Sequence, residues 1–477
     1  MKLLAVCALL AGACGRLAFD PIAPGDGGDA GGDSGDGQLG DGGDIGMRSV
    51  TLTPANSDAG DEFGLSLAVS RDGSTIAVGA PLESSAATTI NGNAADNSAL
   101  EAGAVYVFRR AGDTWQQEAY IKAANAELGD QFGWSVALSG DGSTLAVGAR
   151  HEDSASVGTS GDPTNNGAMS SGAAYVFVRA GMAWSQQAYV KASNSDPQDS
   201  FGERIALSDS GDTLAVGAPL ESSSATLING NQANNNATAA GAVYVYLRTG
   251  TTWAQQAYVK PSSGEANDEF GYRIALSASG DLLAVGAYRE DGSTTGVGGN
   301  PADNAALNSG AAYVFTRAMT SWTQAAYLKA SNTAPGDNFG YSLAVSADAT
   351  RIAISSESEA SAARGVDGNQ ADNAAPNSGA LYMFAGSGAA WAQQAYIKAS
   401  NTDAGDQLGF CVALSSTGDR VVVGASSESS AATGIDGDQA DNSATASGAV
   451  YAFGDAGGWS QRSYIKALDT GAGDEFG

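Results

Sequence analysis

"FGWSVALSGDGSTLAVGA", residues 132–149, is the stretch whose reading decides the fold. Two short runs in it, "GWSVALS" (133–139) and "TLAVGA" (144–149), are rich in apolar and β-branched residues, and the turn-forming "GDGS" (140–143) joins them. So short a link between such runs predicts an antiparallel hairpin. Two more runs follow, "GAAYVFVR" (172–179) and "AWSQQAYVKA" (183–192), joined by "AGM" (180–182). Helical periodicity of useful length is absent, so the unit is four antiparallel strands.

The unit repeats. Phe63, Phe132, Phe201, Phe270 and Phe339 stand 69 residues apart, Leu408 takes the next place, and Phe476 follows 68 later. Trp115, Trp184, Trp253, Trp322, Trp391 and Trp459 keep the same beat, as do Tyr120, Tyr189, Tyr258, Tyr327, Tyr396 and Tyr464. A four-stranded repeat of this length is the blade of a β-propeller, and a blade has its neighbours as its core. The expected fold is all-β, a propeller of six complete four-stranded antiparallel blades.

The motifs strengthen that reading. Phe63-Gly64 followed by Gly79-Ala80-Pro81, and Phe201-Gly202 followed by Gly217-Ala218-Pro219, resemble the FG-GAP repeats of integrin α-subunit propellers and of many bacterial surface proteins. Phe132-Gly133, Phe270-Gly271 and Phe339-Gly340 repeat the first half of the motif. The second half varies, as Gly148-Ala149-Arg150, Gly286-Ala287-Tyr288, Ser355-Ser356-Glu357 and Gly424-Ala425-Ser426. The resemblance implies a ligand-binding face. It also implies calcium at the hairpin between the first two strands, but "SRDGST" (70–75), "SGDGST" (139–144) and their equivalents are too short and too poor in carboxylates. Asp72-Gly73 and Asp141-Gly142 read as turn residues instead.

The 52 Asp and Glu against 23 Lys and Arg give a net charge of −29, which disfavours a nucleic-acid partner. Residues 1–13, with the apolar run Leu3 to Ala11 after Lys2, read as an export signal. Their end, "LAGAC", resembles the lipobox of bacterial lipoproteins, which implies a lipid on Cys14 and an outer-membrane lipoprotein at the cell surface. Ala11 where Leu is usual leaves ordinary cleavage after Ala13 open. Residues 14–47 are dominated by Gly and Asp and read as a disordered spacer with a span on the order of 30 Å. The propeller occupies 48–477. Its single thiol, Cys411, allows no internal disulfide.

The long link between the second and third strands carries an Asn/Asp-rich cluster in every copy and starts from a Glu. Oxygen ligands for calcium are conceivable there: Glu83 with Asn93 and Asp96; Glu359 with Asp367, Asn369 and Asp372; Glu428 with Asp436, Asp438 and Asp441. The competing reading is a scaffold of Asx-turns, favoured because all six copies share the pattern. Asp61, Asp130, Asp199, Asp268, Asp337, Asp406 and Asp474 precede the Phe or Leu by two residues and should fix the turn into the inner strand. The repeated Trp residues suit blade packing better than sugar stacking. Lys122, Lys191, Lys260, Lys329, Lys398 and Lys466 fall in the outermost strand, where a charge on an exposed edge would discourage association.

Signals for catalysis are weak: His151 is the one histidine, and it sits at a variable loop position. The expected function is non-catalytic binding or adhesion to a protein or glycan through acidic upper-face loops, with a carboxylate enzyme acting on glycans, or a passive calcium-binding surface protein, as the alternatives. "RSVTLTPANSDA" (48–59) aligns with a fourth strand and its exit, and "GDEFG" (473–477) repeats residues 60–64. That echo marks the seam of the ring and raises the expectation of a fragment of a seven-bladed protein.

Overall fold

The computed structural model describes residues 52–477 apart from Ser57, so the expected export signal, Cys14, the spacer and the first strand-like residues up to 51 lie outside it. Six four-stranded antiparallel sheets, each in the order first to fourth strand, form a six-bladed propeller with no helix among the described residues. Blade 2 comprises Phe132–Leu138, Thr144–Ala149, Ala173–Ala180 and Ala183–Val190, as its sequence predicts. The other blades span 66–121, 204–259, 273–328, 339–397 and 408–465.

Strand alternation gives each blade two unlike faces. In "TLAVGA", Leu145 and Val147 point one way, with Phe132, Tyr175, Phe177, Trp184 and Tyr189, into blade 1. Ala146 points the other way, with Ala137, Ala174, Val176 and Val190, and receives Phe201, Tyr244, Tyr246 and Trp253 of blade 3. Large side chains of one blade thus fill the space left by small ones of its neighbour. The motif Phe is the centre of each such layer: Phe201 meets Tyr244 edge-on at 5.3 Å and Tyr246 at 6.3 Å. A register shift in the outer strand pair, at Val176/Phe177 and its five equivalents, adds a bulge to every blade.

The glycines of the two half-motifs are explained by their contact with each other. A Cβ on Gly217 would lie 2.3 Å from the carbonyl oxygen of Gly271, the motif glycine of the next blade, whose φ is +95°. Blade 5 has Ser355 at this position, and its hydroxyl donates to the Gly409 carbonyl at 2.7 Å. Gly217→Ala should therefore destabilise the protein by about 2–3 kcal/mol through overpacking, and Gly217→Ser by clearly less. Denaturant titration of both variants checks this; equal losses would show that the hydroxyl does not relieve the contact.

At the lower end, backbone bonds stitch the hairpins of successive blades, Arg71 N–H to Gly140 O at 2.9 Å and Gly140 N–H to Asp209 O at 2.9 Å, and so on to Ser416. Gly73 and Gly142 supply the positive φ of those hairpins, and Asp72 and Asp141 accept bonds within the turn. At the seam, an added Cβ on Gly448 would meet the Phe476 backbone at 2.2 Å, as one on Gly103 would meet that of Phe132 at 2.1 Å. Phe476 and Gly477 therefore rest on blade 6 as the next blade's opening rests on each of the others, and Leu52 packs on the large face of blade 1.

Candidate functional site

The upper end of each blade is organised around a buried ion pair. In blade 2, Lys191 Nζ lies 2.8 Å from Glu152 Oε2, and both side chains are at most 1% exposed. The Tyr189 hydroxyl donates to Glu152 Oε1 at 2.7 Å, Ser154 N–H donates to Oε2 at 3.1 Å, and Asn125 Nδ2, arriving from blade 1, donates to Oε1 at 3.2 Å. Asn125 Oδ1 in turn accepts from the Tyr175 hydroxyl at 2.8 Å. The pairs Lys122–Glu83, Lys260–Glu221, Lys329–Glu290, Lys398–Glu359 and Lys466–Glu428 repeat it at 2.8–2.9 Å. Burial pulls the lysine ammonium below its usual pKa, and the adjacent glutamate opposes that shift.

Two expectations change here. The repeated lysines are not exposed edge charges: Lys191 follows the last residue of the fourth strand, Val190, and turns into the blade. The glutamates expected among calcium ligands, Glu83, Glu359 and Glu428, face a lysine ammonium instead. The Asx oxygens expected beside them accept from their own loop or strand: Asn93 from Ala95 N–H, Asp96 from Ser98, Asn369 from Ala371, Asp372 from Ala374, Asp438 from Ala440 and Asp441 from Ser443. Asp367 and Asp436 accept from Tyr396 and Tyr464 N–H, tying the loop to the fourth strand. Among the described residues no three His, Cys, Asp or Glu gather as a metal-holding group. The glutamates named for calcium from the sequence thus have a lysine as their cation, and the Asx oxygens close turns or bind the fourth strand.

The motif aspartates do fix the turn into the inner strand. Asp130 Oδ2 accepts from Glu127 N–H at 2.9 Å, and Asp199, Asp337 and Asp406 do likewise. Burial pushes Asp130, Asp199 and Asp268 up to about 8, and Asp337 and Asp406 up to about 7, against the backbone bond that lowers them in every case. Three of the tryptophans join blades, Trp184 Nε1 donating to Glu118 Oε1 at 2.9 Å, Trp253 to Gln187 Oε1 at 3.0 Å and Trp322 to Gln256 Oε1 at 2.9 Å, while Trp391 donates to Gly388 O in its own hairpin. His151 is half-buried, and burial with the neighbouring Arg150 holds its imidazole below the usual range.

Residues that sequence reasoning missed lie between these scaffolds, on the rim of the channel that the first strands enclose. The register pairs Ser66 with Gly79, so the position after each FG and the position after each GA share the upper end. There the copies diverge: Leu65, Trp134, Glu203, Tyr272, Tyr341 and Phe410 follow FG or LG, and Arg150, Tyr288 and Glu357 stand among those after GA or its equivalent. Tyr272 lies 4.4 Å from Tyr288 and 5.6 Å from Tyr341 between ring centroids, and Tyr341 lies 6.0 Å from Phe410. Arg273 is flanked by Tyr272 at 5.4 Å and Tyr341 at 5.7 Å, and its Nε donates to Tyr341 O at 2.9 Å. On the adjoining blades 2 and 3 Arg150 stacks 3.1 Å from the Trp134 ring and pairs with Glu203 at 3.3 Å, while Trp134 Nε1 donates to Glu203 at 2.9 Å.

Glu357 and Glu269 add carboxyl groups to this rim. Burial pushes Glu357 up to about 7 despite Arg273, Asn338 and Tyr341, while Arg289 pairs with Glu269 at 2.9 Å. Cys411 is on the inner strand of blade 6, where burial pushes its thiol up to about 11. The signal that marks these positions is variation: in a chain whose copies otherwise repeat, they differ from blade to blade.

The model of the FG-GAP repeat family matches six segments, 47–108, 115–177, 184–246, 253–315, 322–384 and 391–453. No curated protein matches the chain. Among solved structures it is similar to one named a putative 6-phosphogluconolactonase from Bacteroides uniformis, at 8% identity and TM-score 0.47, covering 88% of this chain and 90% of that one. It is also similar to the periplasmic gluconolactonase PpgL of Pseudomonas aeruginosa, at 13% identity and TM-score 0.45, covering 85% and 86%. With the motif glycines seated against one another blade after blade and the family model matching every copy, the chain belongs to the FG-GAP repeat family.

Proposed function

We propose that this protein is an exported, lipid-anchored surface propeller that acts as a non-catalytic binding or adhesion module through its upper face. The observation that carries the reading is the divergent rim: a rigid, repeated scaffold holds one band of aromatic, arginine and carboxyl side chains that no repeat constraint explains. The Asx loops around it are built by their own turns, so they serve as the wall of the site. Cys14 supplies the anchor and the Gly/Asp spacer the reach, keeping the face clear of the membrane. Probing glycan and matrix-protein arrays with the whole chain tests this, with binding expected for one ligand class and lost on crowding the rim by Tyr288→Arg. An empty array would overturn the module. The mass of the mature N-terminus reads the anchor.

A second reading has one observation in its favour: Glu357, held near pH 7 beside Arg273, has the protonation balance of a general acid. It is an enzyme acting on glycans, and turnover that disappears with Glu357→Gln would establish it in place of the binding module.

A further inference from the structure

The rim is most unlike the rest of the molecule at blades 4 and 5. The protein carries 52 acidic residues, yet the channel mouth there presents a guanidinium, Arg273, held between two tyrosine rings. Its Nε donates to the Tyr341 backbone oxygen at 2.9 Å, and Glu357 is the neighbouring carboxyl group on which its charge acts. Other arginines of the rim differ: Arg150 is paired with Glu203 and Arg289 with Glu269. The bond to Tyr341 uses Nε and not the outer fork of the guanidinium, and a planar fork suits a carboxylate.

The surroundings say what the carboxylate is attached to. Tyr272, Tyr288 and Tyr341 are half-buried and Phe410 is 39% exposed, so ring faces and edges remain open beside the guanidinium. Tyr288 and Tyr341 stand nearly perpendicular, at 88°, which makes a corner and not a flat groove. The polar groups on offer besides Arg273 are side-chain hydroxyl, amide and carboxyl groups, including Asn338 and Glu357. Aromatic faces take the C–H face of a sugar ring, and such groups pair with vicinal hydroxyls; a peptide backbone would call for a row of main-chain partners instead.

We infer that this corner binds an acidic sugar, a carboxylate-bearing pyranose within a glycan, with the carboxylate on Arg273 and the ring against Tyr272, Tyr288 and Tyr341. The inference rests on the binding-module reading and names its ligand class. The anion is drawn to a local positive site inside an acidic wall, so selectivity comes from the guanidinium and not from the protein's overall field.

Titration calorimetry of the whole chain with trigalacturonate and with neutral trigalactose tests it. Trigalacturonate is expected to bind at least tenfold more tightly. Arg273→Gln should abolish that preference, bringing both sugars to the same weak affinity. Tyr288→Ala should weaken both sugars while leaving the acidic one preferred, and unchanged melting of each variant shows that the ring is intact. Equal affinity for the two sugars in the parent protein, or a preference that survives Arg273→Gln, would overturn the inference. If an array ligand binds regardless of both substitutions, the acidic-sugar site falls while the module stands; if no ligand binds the chain at all, both fall.

Discussion

Lys191→Met is expected to cost about 3–5 kcal/mol of stability, more than any other single substitution considered for this chain. The substitution leaves Glu152 buried beside Tyr189, Asn125 and Ser154 with no cation, and an uncompensated buried charge is far more costly than a missing contact. Glu152→Gln should approach the same loss from the other side, stranding the ammonium against Ser171 Oγ. The double variant Lys191→Met, Glu152→Gln should recover part of the deficit, because neither charge then remains. A double-mutant cycle by denaturant unfolding reads these differences. If the double variant is as unstable as the sum of the singles, the pair is not coupled and the lysine acts only through packing. The same substitutions at Lys398 and Glu359 should behave alike, since blade 5 repeats the geometry.

Stability should also fall as the pH rises from about 5 to about 8. Asp130, Asp199 and Asp268 titrate in the fold near 8, and Asp337 and Asp406 near 7, whereas an unfolded aspartate titrates near 4. Between those limits the folded state keeps protons that the unfolded chain has released, so each aspartate contributes stability that is lost as pH climbs, by at most about 1.4 kcal/mol per unit. Below pH 4 both states are protonated and the slope disappears; above 8 both are ionised and the curve levels. Calorimetric melting at constant ionic strength checks the direction. Asp199→Asn should flatten the slope and raise the melting temperature at pH 8.5, while keeping an acceptor for Asp196 N–H. A melting temperature that climbs between pH 5 and 8 would contradict the assignment.

The architecture was legible because one spacing recurs: a Phe every 69 residues, with Trp and Tyr in step, leaves little besides a radial array. The chemistry was less legible. The lysines read as exposed edge charges because they follow the outermost strand so closely, yet parity held the answer, since Lys191 stands two residues after Tyr189 and shares its face. The glutamates read as ligands because an acid beside an Asx-rich loop suits calcium, and their cations come from the end of a strand 38 or 39 residues away. That pairing is invisible until the sheet closes. Asn125 illustrates the same limit across blades, because its partner glutamate belongs to the next copy. The rim at Tyr272, Tyr288 and Tyr341 could be read only by asking where the copies fail to match.

Burying the six lysines has a further consequence. Every lysine among the described residues is one of those pairs, each at most 1% exposed. The folded propeller therefore shows its environment no primary amine: aldehydes, acylating metabolites and lysine-modifying enzymes meet only arginine, acids and hydroxyls. If the domain is exported as proposed, that is a chemically quiet coat, and it lasts as long as the blades stay shut.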